Sequence, residues 1–266
     1  MKRDELLLNK INVLLRRVNA PKYLNKFGPK KYTLAEKLYA LFLRSEWKSS
    51  FRRTKKLCDE LKISCASKST MHYTLDKLPW QFIKNMLKAT IIRQVSLAAV
   101  DETTLSRTRL SEHYMLRAGI DIKRRETTKL SILADTRSKK ILAARFRKKI
   151  VHDIKDVKYL LKESAVKPSK LVADKAYDAE WFREFLHKQN IAYCIPTKGK
   201  VEHGFYRKRD KVDHRVYRRR AMVESSFFRL KQLFGHSVSC ITARNMSIEV
   251  FLRLILYNIS LMLYVI

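Results

Sequence analysis

Three acidic residues stand in settings where an acid is out of keeping. Asp101 closes the apolar run Leu97-Ala98-Ala99-Val100, and Asp174 closes Leu171-Val172-Ala173. Glu224 sits alone among cations in the stretch YRRRAMVESSFFRLK, residues 217–231. Strands that are apolar throughout are usually covered on both faces, so an acid at the end of one needs a cation or a hydrogen-bond donor as partner. In open α/β sheets, ligands bind beyond the carboxyl ends of the strands. Each aspartate also has a simpler use as a turn former or helix cap. Asp178 is better placed than Asp174 to cap the helix that follows.

Glu224 shares its helix face with particular neighbours. Each helical residue turns about 100°, so separations of four and seven return to nearly the same side. Arg220 stands four before Glu224, Tyr217 seven before and Lys231 seven after, which places all four on one stripe. Leu230 and Leu233 fall toward the other side, available to a core. Taken alone, the stripe reads as a solvated face carrying an i, i+4 ion pair.

The elements that must carry these residues follow from pattern and composition. The chain has 266 residues, 58 Lys+Arg against 25 Asp+Glu, and a formal net charge of +33. With 46% hydrophobic residues it has ample material for a core, which excludes a disordered basic tail protein. A folded chain this basic points to nucleic acid first and to an anionic membrane second. The four cysteines, Cys58, Cys65, Cys194 and Cys240, form no CxxC pair, and no histidine stands at zinc-finger spacing; they read as reduced thiols of a cytosolic protein.

The first 90 or so residues read as helices. Thr33-Leu34-Ala35-Glu36 is a capping box, and Leu34, Leu38, Leu41 and Phe42 follow at helical spacing. Two short helices flank KISCASKS and suggest a helix-turn-helix, whose second helix would turn Ser69, Thr70, His72, Tyr73 and Lys77 outward toward DNA. An ordinary helical hairpin has the same pattern. From Val95 onward the texture becomes β-β-β-α-β-α-β-α, with a turn at Arg137-Ser138 between the second and third strands, which is a mixed α/β domain. The apolar stretch 248–266 is about long enough to span a bilayer but carries Glu249, Arg253 and Asn258, so it reads as a buried core helix. No signal peptide is recognisable, because Asn9, Lys10, Asn12, Arg16 and Arg17 interrupt the first apolar stretch.

The spacing Tyr217-x2-Arg220-x3-Glu224-x6-Lys231 resembles the YREK signature of DDE insertion-sequence transposases. AAVDETTL resembles their first-aspartate strand, and VADKAYD their second-aspartate motif, in the order Asp, Asp, Glu. The resemblance covers about residues 95–265. It implies an α/β, RNase H-like catalytic domain, a mixed five-stranded sheet with flanking helices, over residues 93–266. An all-α, helix-turn-helix-like DNA-binding region would precede it over residues 1–92.

On that resemblance Asp101, Asp174 and Glu224 are catalytic and ligate Mg²⁺ or Mn²⁺, two ions in all. Tyr217, Arg220 and Lys231 contact DNA near the scissile bond. Arg207, Lys208, Arg209, Arg218 and Arg219 extend a basic track along the backbone. The implied function is binding of an insertion sequence's terminal repeats, cleavage at its ends and joining to target DNA. The implied partners are double-stranded DNA and a second copy of the chain, in a nucleoid-associated, cytoplasmic setting without membrane. A catalytically inactive or domesticated DNA-binding protein, a stand-alone nuclease and a membrane-anchored basic protein are the rivals. Residues 175–223 leave no room for the large β insertion of some relatives. Glu102 alternates away from Asp101 along the strand and is not counted as a ligand.

Overall fold

Short polar residues placed just before apolar periodic runs start the first helices. The Thr33 hydroxyl accepts from the Glu36 N–H at 3.3 Å, and the Glu36 carboxylate accepts from the Thr33 N–H at 2.7 Å. Ser50 and Ser67 cap the next two starts through the N–H groups of Arg53 and Thr70.

The structure is a computed structural model that describes residues 3–25, 27, 30–107, 127–200 and 203–263. It opens with α1 (Arg3–Arg17), α2 (Leu34–Glu46), α3 (Phe51–Glu60), α4 (Lys68–Lys77) and α5 (Trp80–Ala89). Strands β1 (Leu97–Arg107), β2 (Thr127–Asp135) and β3 (Ile141–Arg147) follow. Next come α6 (Ile154–Glu163), β4 (Lys170–Val172), a 3₁₀ turn (Lys175–Tyr177), α7 (Glu180–Lys188) and β5 (Ala192–Cys194). The chain continues through α8 (Phe205–Arg209), α9 (His214–Tyr217), a second 3₁₀ turn (Arg218–Arg220) and α10 (Ala221–Phe234). A two-residue strand, β6 (Ser237–Val238), and α11 (Ala243–Leu263) complete it.

Two compact units result: Met1–Thr90 with Leu230–Ile266, and Ile91–Arg229. This division differs from the 1–92 and 93–266 expected from the sequence. The reason is α11, which packs against α1, α2, α4 and α5 and buries Phe251, Leu254 and Ile255 there. Trp80 meets Phe251 edge-on at 4.6 Å between ring centroids. By length and composition α11 passes as a membrane span, yet it is mostly buried inside its unit, as a core helix is. Its Glu249 is 1% exposed, held by Arg253 at 2.5 Å and by the N–H groups of Ser239 and Cys240. Residues 264–266 of the apolar stretch lie outside the described residues.

In the second unit the strand order is β3-β2-β1-β4-β5. β1, β2 and β3 pair antiparallel, whereas β4 and β5 run parallel to β1 and to each other. Asp135 makes the turn between β2 and β3, accepting from the N–H groups of Arg137 and Ser138. Helices α6 and α7 cover one face of this sheet. Val157, Leu160, Phe182 and Leu186 pack with Ala98, Val100, Leu133, Leu171 and Ala173 into one core. Side chains alternate along a strand, so the residues next to these face the other way.

Phe182→Ala removes a fully buried ring from that core. It is expected to lower unfolding free energy by about 3–5 kcal/mol in urea titration. A loss under about 1 kcal/mol would show that the α7 contact is not part of a packed core.

Candidate active site

Strand register sets the first two carboxylates side by side. Ala98 pairs with Leu171 and Ala99 with Val172 in the parallel β1–β4 ladder. Asp101 lies two residues beyond the last paired residue of β1, and Asp174 two residues beyond the end of β4, near enough for its charge to act on Asp101. Val100 and Ala173 belong to the core under α6 and α7, so both aspartates turn to the opposite face. β4 ends at Val172, and Asp174 caps the 3₁₀ turn by accepting from the Ala176 N–H. Tyr177 closes that turn and is 1% exposed, which anchors it in the core. Asp174 caps this turn only; α7 starts after Ala179 without a side-chain cap, so neither Asp174 nor Asp178 caps it, although the sequence had favoured Asp178.

Arg220 joins the third acid to the first. Its Nη1 donates to Asp101 Oδ2 at 3.2 Å, and its Nη2 donates to Glu224 Oε1. The i, i+4 spacing survives although the helix does not run unbroken from Tyr217: the backbone tightens to 3₁₀ at Arg218–Arg220 before α10 begins. Asp101 is 18% exposed and Glu224 53%. Burial pushes the Asp101 carboxyl above its ordinary value. The Glu102 N–H and Arg220 oppose that rise, while the charges of Asp174 and Glu224 add to it. Glu224 and Asp101 in turn hold the Arg220 guanidinium firmly protonated against the effect of its burial. Tyr217 is half-buried and close enough for its hydroxyl to act on Arg220. Along α10, Val223, Ser226 and Phe227 are buried; Leu230 is buried and Leu233 only half so. Lys231 is half-buried and belongs to the first unit. Phe228, which sequence reading did not single out, is 65% exposed four residues after Glu224.

Glu102 does face the other way. It pairs with Lys129, which is 1% exposed and also donates to Asp153 at 2.9 Å and to the Val151 carbonyl at 2.6 Å. Burial, and then the neighbouring Asp153, push the Glu102 carboxyl up to about 7. Asp153 goes down despite burial, because Glu102 and Lys129 both hydrogen-bond to its charged form.

One of the expected DNA-contact arginines is committed elsewhere. Arg207 lays its fork on Asp178, with Nε to Oδ1 at 3.1 Å and Nη2 to Oδ2 at 2.8 Å. Arg183, fully buried, reaches Asp178 at 3.0 Å, Asp210 at 2.5 Å and the Ile195 carbonyl at 2.8 Å. Arg207 therefore ties the basic segment to Asp178 and, through its own N–H on Glu180, to α7. Sequence gave no sign of this, because the partners are 29 residues apart. Lys208, Arg209, Arg218 and Arg219 remain exposed, with Arg209 stacked over Phe205 at 4.7 Å.

In the first unit, α3 and α4 form a helical pair with a seven-residue connection, 61–67. Ser69, His72, Tyr73 and Lys77 are exposed on α4, and Thr70 is half-buried, its hydroxyl 3.0 Å from that of the cap Ser67. A shallow cavity of about 520 Å³ opens beside them, lined among others by Phe51, Arg52, Lys68, His72 and Tyr73.

Three carboxylates offer only hard oxygen donors, the set that suits Mg²⁺ or Mn²⁺ rather than a thiolate- or imidazole-seeking metal. Burial is the main cause of the raised Asp101 carboxyl, and the charges of Asp174 and Glu224 add to it. Among the described residues no group of three His, Cys, Asp or Glu is spaced to hold a metal ion as it stands. By donor type the three carboxylates would suit such an ion, and as they stand Arg220 engages Asp101 and Glu224.

A mixed sheet with one acid midway along β1, another just after β4 and a third on the helix beside them defines a transposase-like fold. The family model described as Transposase DDE domain matches residues 94–259, and the chain belongs to that family. Such proteins are in general nucleases and strand transferases that use divalent metal ions. Among solved structures, the chain is similar to a piggyBac transposase in a synaptic complex with hairpin DNA. That match has 10% identity and a TM-score of 0.53, over 97% of this chain and 73% of that one. A simian T-cell lymphotropic virus intasome, in complex with the PP2A regulatory subunit B56 gamma, aligns at 12% identity. It covers 79% of this chain and 64% of that one, with a TM-score of only 0.34. No curated protein sequence matches the chain.

The Asp178 network gives a test of how the segment after β5 is held. Arg207, the Lys198 N–H and Arg183 outweigh burial and hold the Asp178 carboxyl below its ordinary value. A depressed folded-state value stabilises above the unfolded value of about 3.9 and is lost as pH falls through the lower one. Asp178→Asn should therefore lower stability at pH 7 by about 3–5 kcal/mol. The deficit should shrink below about pH 4 in urea titrations at stepped pH, whereas a pH-independent deficit would contradict the assignment.

Proposed function

We propose that this chain is a DNA transposase that binds the terminal repeats of its insertion sequence, cuts at the ends and joins them to target DNA. The observation that carries this reading is the nearness of Asp101 on β1 to Asp174 just after β4, with Glu224 linked to Asp101 through Arg220. Family membership supplies the reaction class.

Asp101, Asp174 and Glu224 would hold the Mg²⁺ or Mn²⁺ ions, two by the resemblance. When bound, such ions favour the attacking oxygen and offset the charge of the leaving one in an in-line displacement. The chain's own part is to place the phosphate. Arg220 offers two nitrogens to phosphate oxygens, Tyr217 orients that guanidinium, and Lys231 adds a point charge on the same helix. Exposed Lys208, Arg209, Arg218 and Arg219 neutralise the flanking backbone. Ser69, Thr70, His72, Tyr73 and Lys77 on α4 read the terminal repeat.

The chemistry is two phosphoryl transfers. Water adds to the phosphorus at the element's end and the P–O3′ bond breaks; one proton of the water goes to the leaving 3′ oxygen and the other to solvent as the new 5′-phosphate ionises. The freed 3′-hydroxyl then adds to a phosphorus of target DNA and displaces the target's own 3′ oxygen. Both ends must be held together for joining, which calls for a dimer or larger synaptic assembly. The setting is cytoplasmic and nucleoid-associated.

Cleavage and joining of DNA carrying the element's ends tests the reading. Glu224→Gln in Mg²⁺, or wild type in EDTA, should lose about a thousandfold in rate, the equivalent of several kcal/mol of metal-borne stabilisation. End binding should persist. Wild type that binds the ends but neither cuts nor joins them would refute the catalytic reading.

A further inference from the structure

We propose that Arg220 makes metal binding conditional on DNA: its guanidinium clamps Asp101 and Glu224 until a DNA phosphate draws it away. The inference rests on the reading of Asp101, Asp174 and Glu224 as metal ligands.

The clamp is built from one fork and two acids. Nη1 reaches Asp101 at 3.2 Å while Nη2 pairs with Glu224, so a single side chain engages two of the three carboxylates through different nitrogens. The other Asp101 oxygen accepts from the Glu102 N–H at 2.9 Å, and Asp174 is engaged by the Ala176 N–H. A divalent cation ligated by these acids, at about 2.0–2.1 Å for Mg²⁺, competes with Arg220 for Asp101 Oδ2 and Glu224 Oε1 and for the charge of both carboxylates. Guanidinium does not deprotonate in proteins, so the positive charge cannot be lost in place. The two cations therefore compete at Asp101 and Glu224, and the ion binds more tightly as the fork leaves.

DNA supplies what the fork can leave for. A phosphodiester accepts guanidinium bidentately, as a carboxylate does, and also offers an oxygen ligand to the ion. The Arg220 side chain is 22% exposed and Glu224 53%, so the clamp lies at the rim where a backbone can reach it. One exchange then fits the charges: the phosphate takes Arg220, and the freed carboxylates with that phosphate take the ion. Linkage makes the coupling reciprocal, so metal must tighten DNA binding by the factor by which DNA tightens metal binding. An ion that loads mainly with DNA also keeps the three acids from acting on stray phosphates.

The test is Mn²⁺ binding, read from the free-ion signal in electron paramagnetic resonance, without DNA and with a short blunt duplex at low salt. Binding to the duplex alone is subtracted. Without DNA, Arg220→Gln should bind Mn²⁺ about tenfold or more tighter than wild type, within the usual range of coupling between sites. Arg220→Lys keeps the charge but cannot span both acids, and should fall between the two. Arg215→Gln removes an exposed arginine nearby and should match wild type, which separates the clamp from a general charge effect. The duplex should tighten wild type toward the Arg220→Gln level. If wild type and Arg220→Gln bind alike without DNA while Glu224→Gln loses binding, the metal site stands and the clamp is overturned. If Glu224→Gln binds as well as both, the metal-ligand reading falls, and the clamp with it.

Discussion

Two like charges placed close together on one side of a sheet repel, and part of the second unit can be understood from how that repulsion is managed. The parallel β1–β4 register brings Asp101 beside the short segment after β4, where Asp174 caps the 3₁₀ turn. Only a firmly packed sheet holds such a pair. The opposite face supplies that, with α6 and α7 pressed onto Val100, Leu171 and Ala173. Partial burial raises the Asp101 carboxyl and makes a nearby cation valuable, and Arg220 answers that need from the approach to α10. A site that attracts cations this strongly is suited to bind a divalent ion and the phosphate that travels with it.

Strand alternation keeps the chemistry on one face. Glu102 is one residue from Asp101, yet it belongs to a separate group with Lys129 and Asp153 on the α6 side. The cations likewise divide into two populations. Lys129, Arg183 and Arg207 neutralise acids within the unit, where they hold strands, α7 and the basic segment together. Lys208, Arg209, Arg218 and Arg219 stay outside, close in sequence to Glu224. The formal charge of +33 thus overstates what DNA can meet, because part of it is already matched inside.

The sequence was most legible where a local pattern determines the outcome. The apolar runs before Asp101 and Asp174 announced strands, although β1 continues past Asp101 to Arg107 and only β4 stops short of its acid, and the capping box at Thr33 announced its helix. The spacing of Arg220 and Glu224 announced an ion pair. What it concealed depends on distant partners. The 3₁₀ turn at Arg218–Arg220 hides because α and 3₁₀ geometry diverge little over one turn. Asp178 looked like a cap, since nothing local reveals that Arg183 and Arg207 converge on it. The discontinuous first unit hides for the same reason: α11 is apolar enough for any core, and only packing shows that it joins α1, α2, α4 and α5. Phe228 escaped notice because exposure is a property of the folded surface.

The central claim is that Asp101, Asp174 and Glu224 converge on one divalent ion when DNA is bound. Iron-directed cleavage of the chain tests this most directly. Fe²⁺ with ascorbate, added to the protein–DNA complex, generates radicals that cut the backbone beside the bound ion. The account expects cuts near residues 101, 174 and 224 together, suppressed by excess Mg²⁺ and lost in Asp174→Asn. Cuts confined to other segments, or an unchanged pattern in Asp174→Asn, would contradict it.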